Sequence, residues 1–257
     1  MSIASYSRDG RIGRITISRP ERRNALNHEA LDQLHEGVRS AREDGVRVLV
    51  LTGDADHFCS GADLKELEDL EFTRALRLML DDLAALAVPT VAAISGACMG
   101  LGMQLALACD LRIATDDARF AVPVAKLGLM VDHWTLQRLA LLAGHSTARW
   151  MAVTARPVTA ARAHQVGLVQ ELVPGGDDGP GASVLAAADE LAGEIAALAP
   201  MTLAGTKAGL DLLERDAAQL DPEGRYLGAF HAAWASDDLV EGRRAFAERR
   251  PAEFEGR

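Results

Sequence analysis

The sequence predicts an α/β core followed by a helical tail, and three observations carry that reading. Short apolar, β-branched runs alternate with helix-period segments as far as about residue 173. From residue 183 onward the pattern is helical throughout. At the centre, residues 89–110 read PTVAAISGACMGLGMQLALACD, a buried strand (90–95), a glycine-rich connection (96–102) and a buried Ala/Leu-rich helix (102–109). A helix that starts from a glycine turn presents free N–H groups and the positive end of its dipole, which suits a developing negative charge.

The central stretch allows other readings. Residues 83–109 carry no charge and are long enough to span a membrane. Pro89, three glycines, Ser95 and Gln104 argue against a span. The pair Gly100-x-Gly102 lacks the third glycine of a dinucleotide-binding turn. On this stretch alone the plainest reading, a core strand and helix without chemistry, is preferred.

The elements follow in order. Residues 12–18 alternate as a strand that Arg19-Pro20 ends, and a polar loop follows. Asn27 caps a helix to about residue 42, with Leu31, Leu34 and Val38 on one face. Residues 47–51 are a buried strand, and a charged helix is expected over 64–87. Residues 111–114 and 120–122 are short strands. Asp132 opens a helix with Leu136, Leu139 and Leu142 at helical spacing, and Gly144 ends it. Helices at 146–154 and 159–164 and an extended segment at 168–173 complete the core. Residues 174–181, PGGDDGPG, form a loop. Helices over 183–198, 201–215, 222–234 and 237–248 make the tail. The division expected is a core over 1–195 and a helical region over 196–257 that packs on the core and on neighbouring subunits.

Composition bounds the function. The chain is 49% hydrophobic and 25% charged, a globular balance. A net charge of −10 argues against nucleic acid as a partner. The first ten residues, MSIASYSRDG, have no apolar signal core, so a cytoplasmic protein is expected. Cys59, Cys98 and Cys109 lie in apolar stretches without metal-ligand spacing, as buried free thiols would in a reducing compartment. No metal is expected.

Three ordered motifs change the weighting. They are RPERRNALN at residues 19–27, FCSGADLKE at 58–66, and ISGACMGLGMQLALACD at 94–110. Together with the ending AFAERRPAEF at 245–254, they resemble the crotonase (enoyl-CoA hydratase/isomerase) superfamily over nearly the whole chain. The resemblance implies a spiral of ββα units, a C-terminal trimerisation region, a homotrimer or homohexamer, and an acyl-CoA ligand. It implies that the backbone N–H groups of Ala62 and Leu101 bind the thioester oxygen. Such a donor, fixed before charge develops, is worth roughly 3 kcal/mol. Leu101 stands where the family usually has glycine. By the same resemblance Arg22 and Arg23 meet the CoA phosphates, and Ala62, Asp63 and Leu64 meet adenine. Phe246 and Arg249 touch CoA from a neighbouring subunit. Asp63 fits equally as a helix N-cap, and Phe246 and Arg249 as ordinary helix surface.

The same resemblance exposes a gap. The family's hydratases use two glutamates, and this chain has Gln104 and Val124 at the matching positions. Glutamine orients a water or carbonyl but is no general base. Each acid or base lost costs about 10²–10⁴ in rate. Asp132, in GLMVDHWTLQRL at 128–139, matches a catalytic aspartate of relatives that isomerise dienoyl-CoA, and fits equally as an N-cap. His133 and Trp134 add bulk where typical hydratases are small. The segment also resembles a mycobacterial paralogue that lacks both glutamates and is held to bind long-chain acyl-CoA without hydrating it. Two functions follow: an acyl-CoA isomerase or lyase with Asp132 as proton carrier, or a non-catalytic acyl-CoA-binding protein. The second is favoured.

Overall fold

The computed structural model describes residues 2–63, 70–212 and 225–255. Its main sheet has six strands in the order β1-β2-β3-β4-β6-β9. These are β1 (Ala4–Asp9), β2 (Ile12–Ile17), β3 (Val48–Gly53), β4 (Thr90–Ile94), β6 (Leu111–Thr115) and β9 (Glu171–Val173). Only the β1–β2 pair is antiparallel. A second sheet joins β5 (Ala97–Met99), β7 (Arg119–Ala121) and β8 (Val158–Thr159).

The helices cover both faces of the main sheet. They are α1 (His28–Glu43), α2 (Leu70–Ala84), α3 (Leu101–Ala108), α4 (His133–Ala143), α5 (His145–Thr154), α6 (Ala160–Gln165), α7 (Pro180–Ala197), α8 (Pro200–Leu212), α9 (Arg225–Trp234) and α10 (Asp237–Glu248). Burial on two faces explains why β3 reads as a continuous apolar run. Val48 and Val50 face α7, against Val184, Ala188 and Ala192. Leu49 and Leu51 face the larger core, with Leu31, Leu34, Met79 and Leu105. Asn27 caps α1, its side chain accepting from Ala30 N at 3.0 Å. No helix among the described residues is long and apolar enough to cross a membrane.

The structure adds elements that periodicity did not show. β1 presents mostly exposed polar residues and is held by its pairing with β2 and by Gln33 Oε1, which accepts from Ile3 N and Ala4 N. The connection over 96–102 contains β5, and α3 starts at Leu101, one residue before the expected Gly102. The charged helix expected over 64–87 is seen as α2; residues 64–69 lie outside the described residues.

Helix α3 is apolar and wholly buried, and its C-terminal end is closed by two arginines. Arg112 Nη1 donates to Ala106 O (3.1 Å) and Cys109 O (2.7 Å), and its Nε to Leu168 O (2.6 Å). Arg138 Nε donates to Leu107 O at 2.9 Å. Cations there satisfy the last carbonyls and oppose the negative end of the dipole. Burial lowers the Arg112 pKa to about 10, so the guanidinium stays charged at neutral pH. Arg112→Met strands several buried carbonyls. The expected loss is about 3–5 kcal/mol of stability, read as a fall in the urea midpoint at unchanged slope.

Candidate functional site

Two glycine turns meet at the start of α3. Cys59 N donates to Ala97 O (2.8 Å) and Met99 N to Cys59 O (3.0 Å), laying residues 58–61 beside β5. On the other side, Leu26 N donates to Gly61 O (2.9 Å) and Asp63 N to Leu26 O (2.7 Å). Because Gly61 and Asp63 supply the atoms facing Leu26, the N–H of Ala62 turns the opposite way. Leu101 is the first residue of α3, so its N–H is an orphan donor. Neither N–H has a backbone acceptor among the described residues.

Three glycines make this approach possible. Gly61 has φ 118° and Gly100 φ 55°, ψ −113°, where a side chain is strained. A methyl group on Gly61 would sit 3.9 Å from Leu101 N. At Gly102 it would lie 2.2 Å from Cys59 O. Two fixed donors at the positive end of a buried helix can hold an oxyanion.

One turn along α3, Gln104 is 7% exposed and its Nε2 donates to Thr135 Oγ1 at 2.8 Å. Asp132 caps α4, its Oδ1 accepting from Thr135 N (2.8 Å) and Thr135 Oγ1 (2.5 Å). Its other oxygen accepts from Arg77 Nη1 at 3.2 Å. The Arg77 guanidinium lies 4.1 Å from the centre of the half-buried Trp134 ring. The N-cap expected of Asp132 is therefore present, and its neighbours are donors. Val124 lies in a 3₁₀ turn, Pro123–Leu127, partly buried against the core. Arg77 and Thr135 were not picked out from the sequence. Thr135 stands at the N3 position after Asp132, a spacing that could have flagged it; Arg77, on another helix, left no such signal.

The expected phosphate-facing arginines sit on the loop that ties down Ala62. Arg22 and Arg23 are exposed. Arg23 and Asn24 both have positive φ, 51° and 58°. Buried Asn24 holds them there: its Oδ1 accepts from Arg19 N, and its Nδ2 donates to Asp54 O and His57 O. Ser60 N donates to Arg23 O and Ser60 Oγ to Arg22 O, so this loop and the Ala62 turn form one unit. Asp63, 8% exposed, is paired with Arg19 Nη1 at 3.0 Å. Leu64 lies outside the described residues.

At the C-terminus α10 packs on the turn that carries Val124. A methyl group on Gly242 would lie 2.6 Å from the Leu127 backbone, and one on Gly128 2.6 Å from Asp238. Glu241 accepts from Arg244, Arg250 and Glu253 N, which folds the last residues back on α10. Phe246, 63% exposed, and Arg249 close the helix.

Cys59, Cys98 and Cys109 are fully buried free thiols. Burial pushes Cys59 and Cys109 up to about 12 and raises Cys98 as well. The thiolate is the nucleophile, and these groups stay protonated as pH rises from 7 to 9. The native protein is expected to show no fast thiol with a disulfide reagent across that range, and three after denaturation. A fast native thiol whose rate climbs with pH would contradict this burial.

The family profile described as enoyl-CoA hydratase/isomerase matches residues 7–257. The chain is 36% identical over 243 residues to the probable enoyl-CoA hydratase echA6 of Mycobacterium tuberculosis (strain CDC 1551 / Oshkosh), covering 94% of this chain and 95% of that one. It is 34% identical over 263 residues to the 2,3-dehydroadipyl-CoA hydratase of Escherichia coli (strain K12), covering all of both. Among solved structures, an enoyl-CoA hydratase from Mycobacterium avium subsp. paratuberculosis K-10 superposes with a TM-score of 0.86 at 27% identity, over 98% of each chain. Matching over this length, with crotonase-fold neighbours, establishes that the chain belongs to the enoyl-CoA hydratase/isomerase family, the crotonase superfamily.

Proposed function

We propose that this protein binds an acyl-CoA thioester and does not carry out ordinary hydration. The thioester oxygen is received by the N–H groups of Ala62 and Leu101. Arg22 and Arg23 meet the CoA phosphates, and Ala62, Asp63 and Leu64 line the adenine end. The ion pair with Arg19 leaves the backbone at 62–63 as the part of Asp63 that faces a ligand. Phe246 and Arg249 reach the CoA of a neighbouring subunit in a cytoplasmic homotrimer or homohexamer, whose contacts come from the 196–257 region.

One observation carries the reading. Among the described residues the N–H groups of Ala62 and Leu101, on two adjoining glycine turns at the start of α3, have no backbone acceptor, while Gln104 and Val124, which stand at the positions of the family's glutamates, hold no titrating proton. In the alternative, Asp132 carries the proton in an isomerase or lyase. Its three donors, from Thr135 and Arg77, favour a carboxylate that positions its neighbours.

The test is mass-spectrometric turnover of saturated, enoyl and dienoyl acyl-CoAs of increasing length, beside Asp132→Asn. No product, with acyl-CoA retained by both proteins, is the expected result; asparagine keeps the cap, so binding survives the substitution. Product that disappears in the variant would establish the enzyme instead.

A further inference from the structure

We propose that His57 is a positioning residue for the acyl-CoA site: its neutral ring, accepting from Ala97 N–H, holds the two glycine turns in register, and protonation of the ring releases them. This rests on the acyl-CoA reading above.

The bonds around Cys59 form a short parallel ladder with β5. Cys59 N donates to Ala97 O, and Met99 N to Cys59 O. In a regular parallel pair the next rung runs from Ala97 N to the carbonyl of residue 57. Here that carbonyl accepts from Asn24 Nδ2 instead, and Ala97 N donates to His57 Nδ1 at 3.2 Å. A side chain thus supplies the last rung. The half-buried ring lies against Gly96, where an added methyl would come within 2.4 Å of Nδ1.

Residue 57 thereby joins all three segments of the site. Its carbonyl holds Asn24, the residue that fixes the loop of Arg22 and Arg23. Its chain continues through the turn at 58–61 to Ala62. Its ring holds Ala97, the first residue of the strand that leads through Gly100 to Leu101.

The donor decides the protonation state. A backbone N–H only donates, so Nδ1 keeps its lone pair and the one ring proton sits on Nε2. An imidazolium carries a proton on both nitrogens. Its Nδ1–H would face the Ala97 N–H, donor against donor. The rung is therefore present while the ring is neutral and is lost as the pH falls through the imidazole range. The charged side chains on the segments around the ring are Asp54 and Asp56 of its own loop, Asp117 and Arg119 beyond Gly96, and Asp177 and Asp178 of the 174–181 loop, which packs on Ala55 and Asp56. Asp54 is taken by Ser18 Oγ and Ala55 N, Asp117 by Thr115 Oγ1, and Arg119 donates to Asp117 O and Ala118 O. Among the described residues none of these groups bonds the ring, so no ion pair replaces the broken rung.

Calorimetric titration of the full-length protein with octanoyl-CoA and palmitoyl-CoA, at about pH 7.5 and about pH 5.5, tests this, with the fold checked by circular dichroism at each pH. Wild-type affinity is expected to fall at least about fivefold at the lower pH. The ligand's terminal phosphate titrates in the same range, so the readout is the difference between proteins. His57→Leu removes the rung at both pH values and should bind about three- to tenfold more weakly at about pH 7.5. His57→Asn places an amide oxygen where Nδ1 stands and cannot titrate. It should recover most of the affinity that leucine loses and show a fall with pH at least about threefold smaller than the wild type's. A packing role for the ring predicts neither the rescue nor the flattened profile. If the leucine variant fails to fold, the asparagine profile decides alone. An asparagine variant whose affinity falls with pH as steeply as the wild type's would overturn this inference and leave acyl-CoA binding standing. Binding of neither thioester by the wild type at either pH would overturn the acyl-CoA reading beneath it, and this inference with it.

Discussion

Gly102→Ala is expected to abolish acyl-CoA binding and to lower the thermal midpoint by about 6–12 °C, the equivalent of about 3 kcal/mol in a chain of this size. The added methyl would lie 2.2 Å from Cys59 O and 2.8 Å from Cys59 Cβ. The first of these is backbone, and Cys59 is fixed on both sides by its bonds to Ala97 and Met99. Either α3 or the 58–63 turn must move. Any such movement parts the N–H of Ala62 from that of Leu101, because each sits on one of the two surfaces being pushed apart. Gly205→Ala is the control. That glycine lies within α8, and a methyl group there would meet nothing within 4 Å among the described residues, so alanine should leave binding unchanged and stability equal or slightly raised. Calorimetric midpoints and acyl-CoA titrations of both variants decide the matter. A Gly102→Ala protein with wild-type midpoint and affinity would mean that α3 and Cys59 are not packed in this way.

The second large effect is a gain. Gln104→Glu combined with Val124→Glu should bring hydration of a short enoyl-CoA to at least about a hundredfold above either single variant, since each carboxylate contributes about 10²–10⁴ and the chemistry needs an acid and a base together. Loss of the conjugated thioester absorbance measures it. Neither single change suffices. Gln104→Glu alone sets a second carboxylate across the Thr135 hydroxyl from Asp132, and one hydroxyl proton cannot serve both. Like charges so close hold a proton to higher pH than either would alone. Val124→Glu alone supplies one carboxylate where the chemistry needs two groups. A folded double variant that binds acyl-CoA and still fails to hydrate would locate the divergence in the groups packed around Asp132, such as the stacked Trp134 and Arg77, and not in the missing acids.

How much of this could be read from the chain depended on the range of the interaction. The α1 cap at Asn27, the apolar strands β3, β4 and β6, and the bounds of α10 are set by neighbours in sequence, and they stand where periodicity and capping chemistry placed them. The glycine turns at 61 and 100–102 were visible as glycines, but the reason for each was not. Gly102 is required by the carbonyl of a residue 43 positions earlier. The edge strand β1 escaped notice because its stability comes from pairing with β2 and its side chains are polar and solvated. Arg112 looks like a charged interruption in β6 until the end of α3 is seen above it. Asp132 shows the limit in the other direction. Its cap was legible three residues away, whereas Arg77, 55 positions off, was not.

The closed C-terminal end of α3 and its open start give one short helix two very different rates of amide exchange. From its second turn to the arginine-capped end, every N–H lies in an apolar, wholly buried helix, so deuterium should enter there only through global unfolding. At Leu101 the amide has no backbone carbonyl among the described residues to release before it exchanges. In the acyl-CoA reading proposed above, a thioester oxygen would supply an acceptor there. The first amide of this helix would then report occupancy, silent to changes in overall stability and slowed by ligand alone.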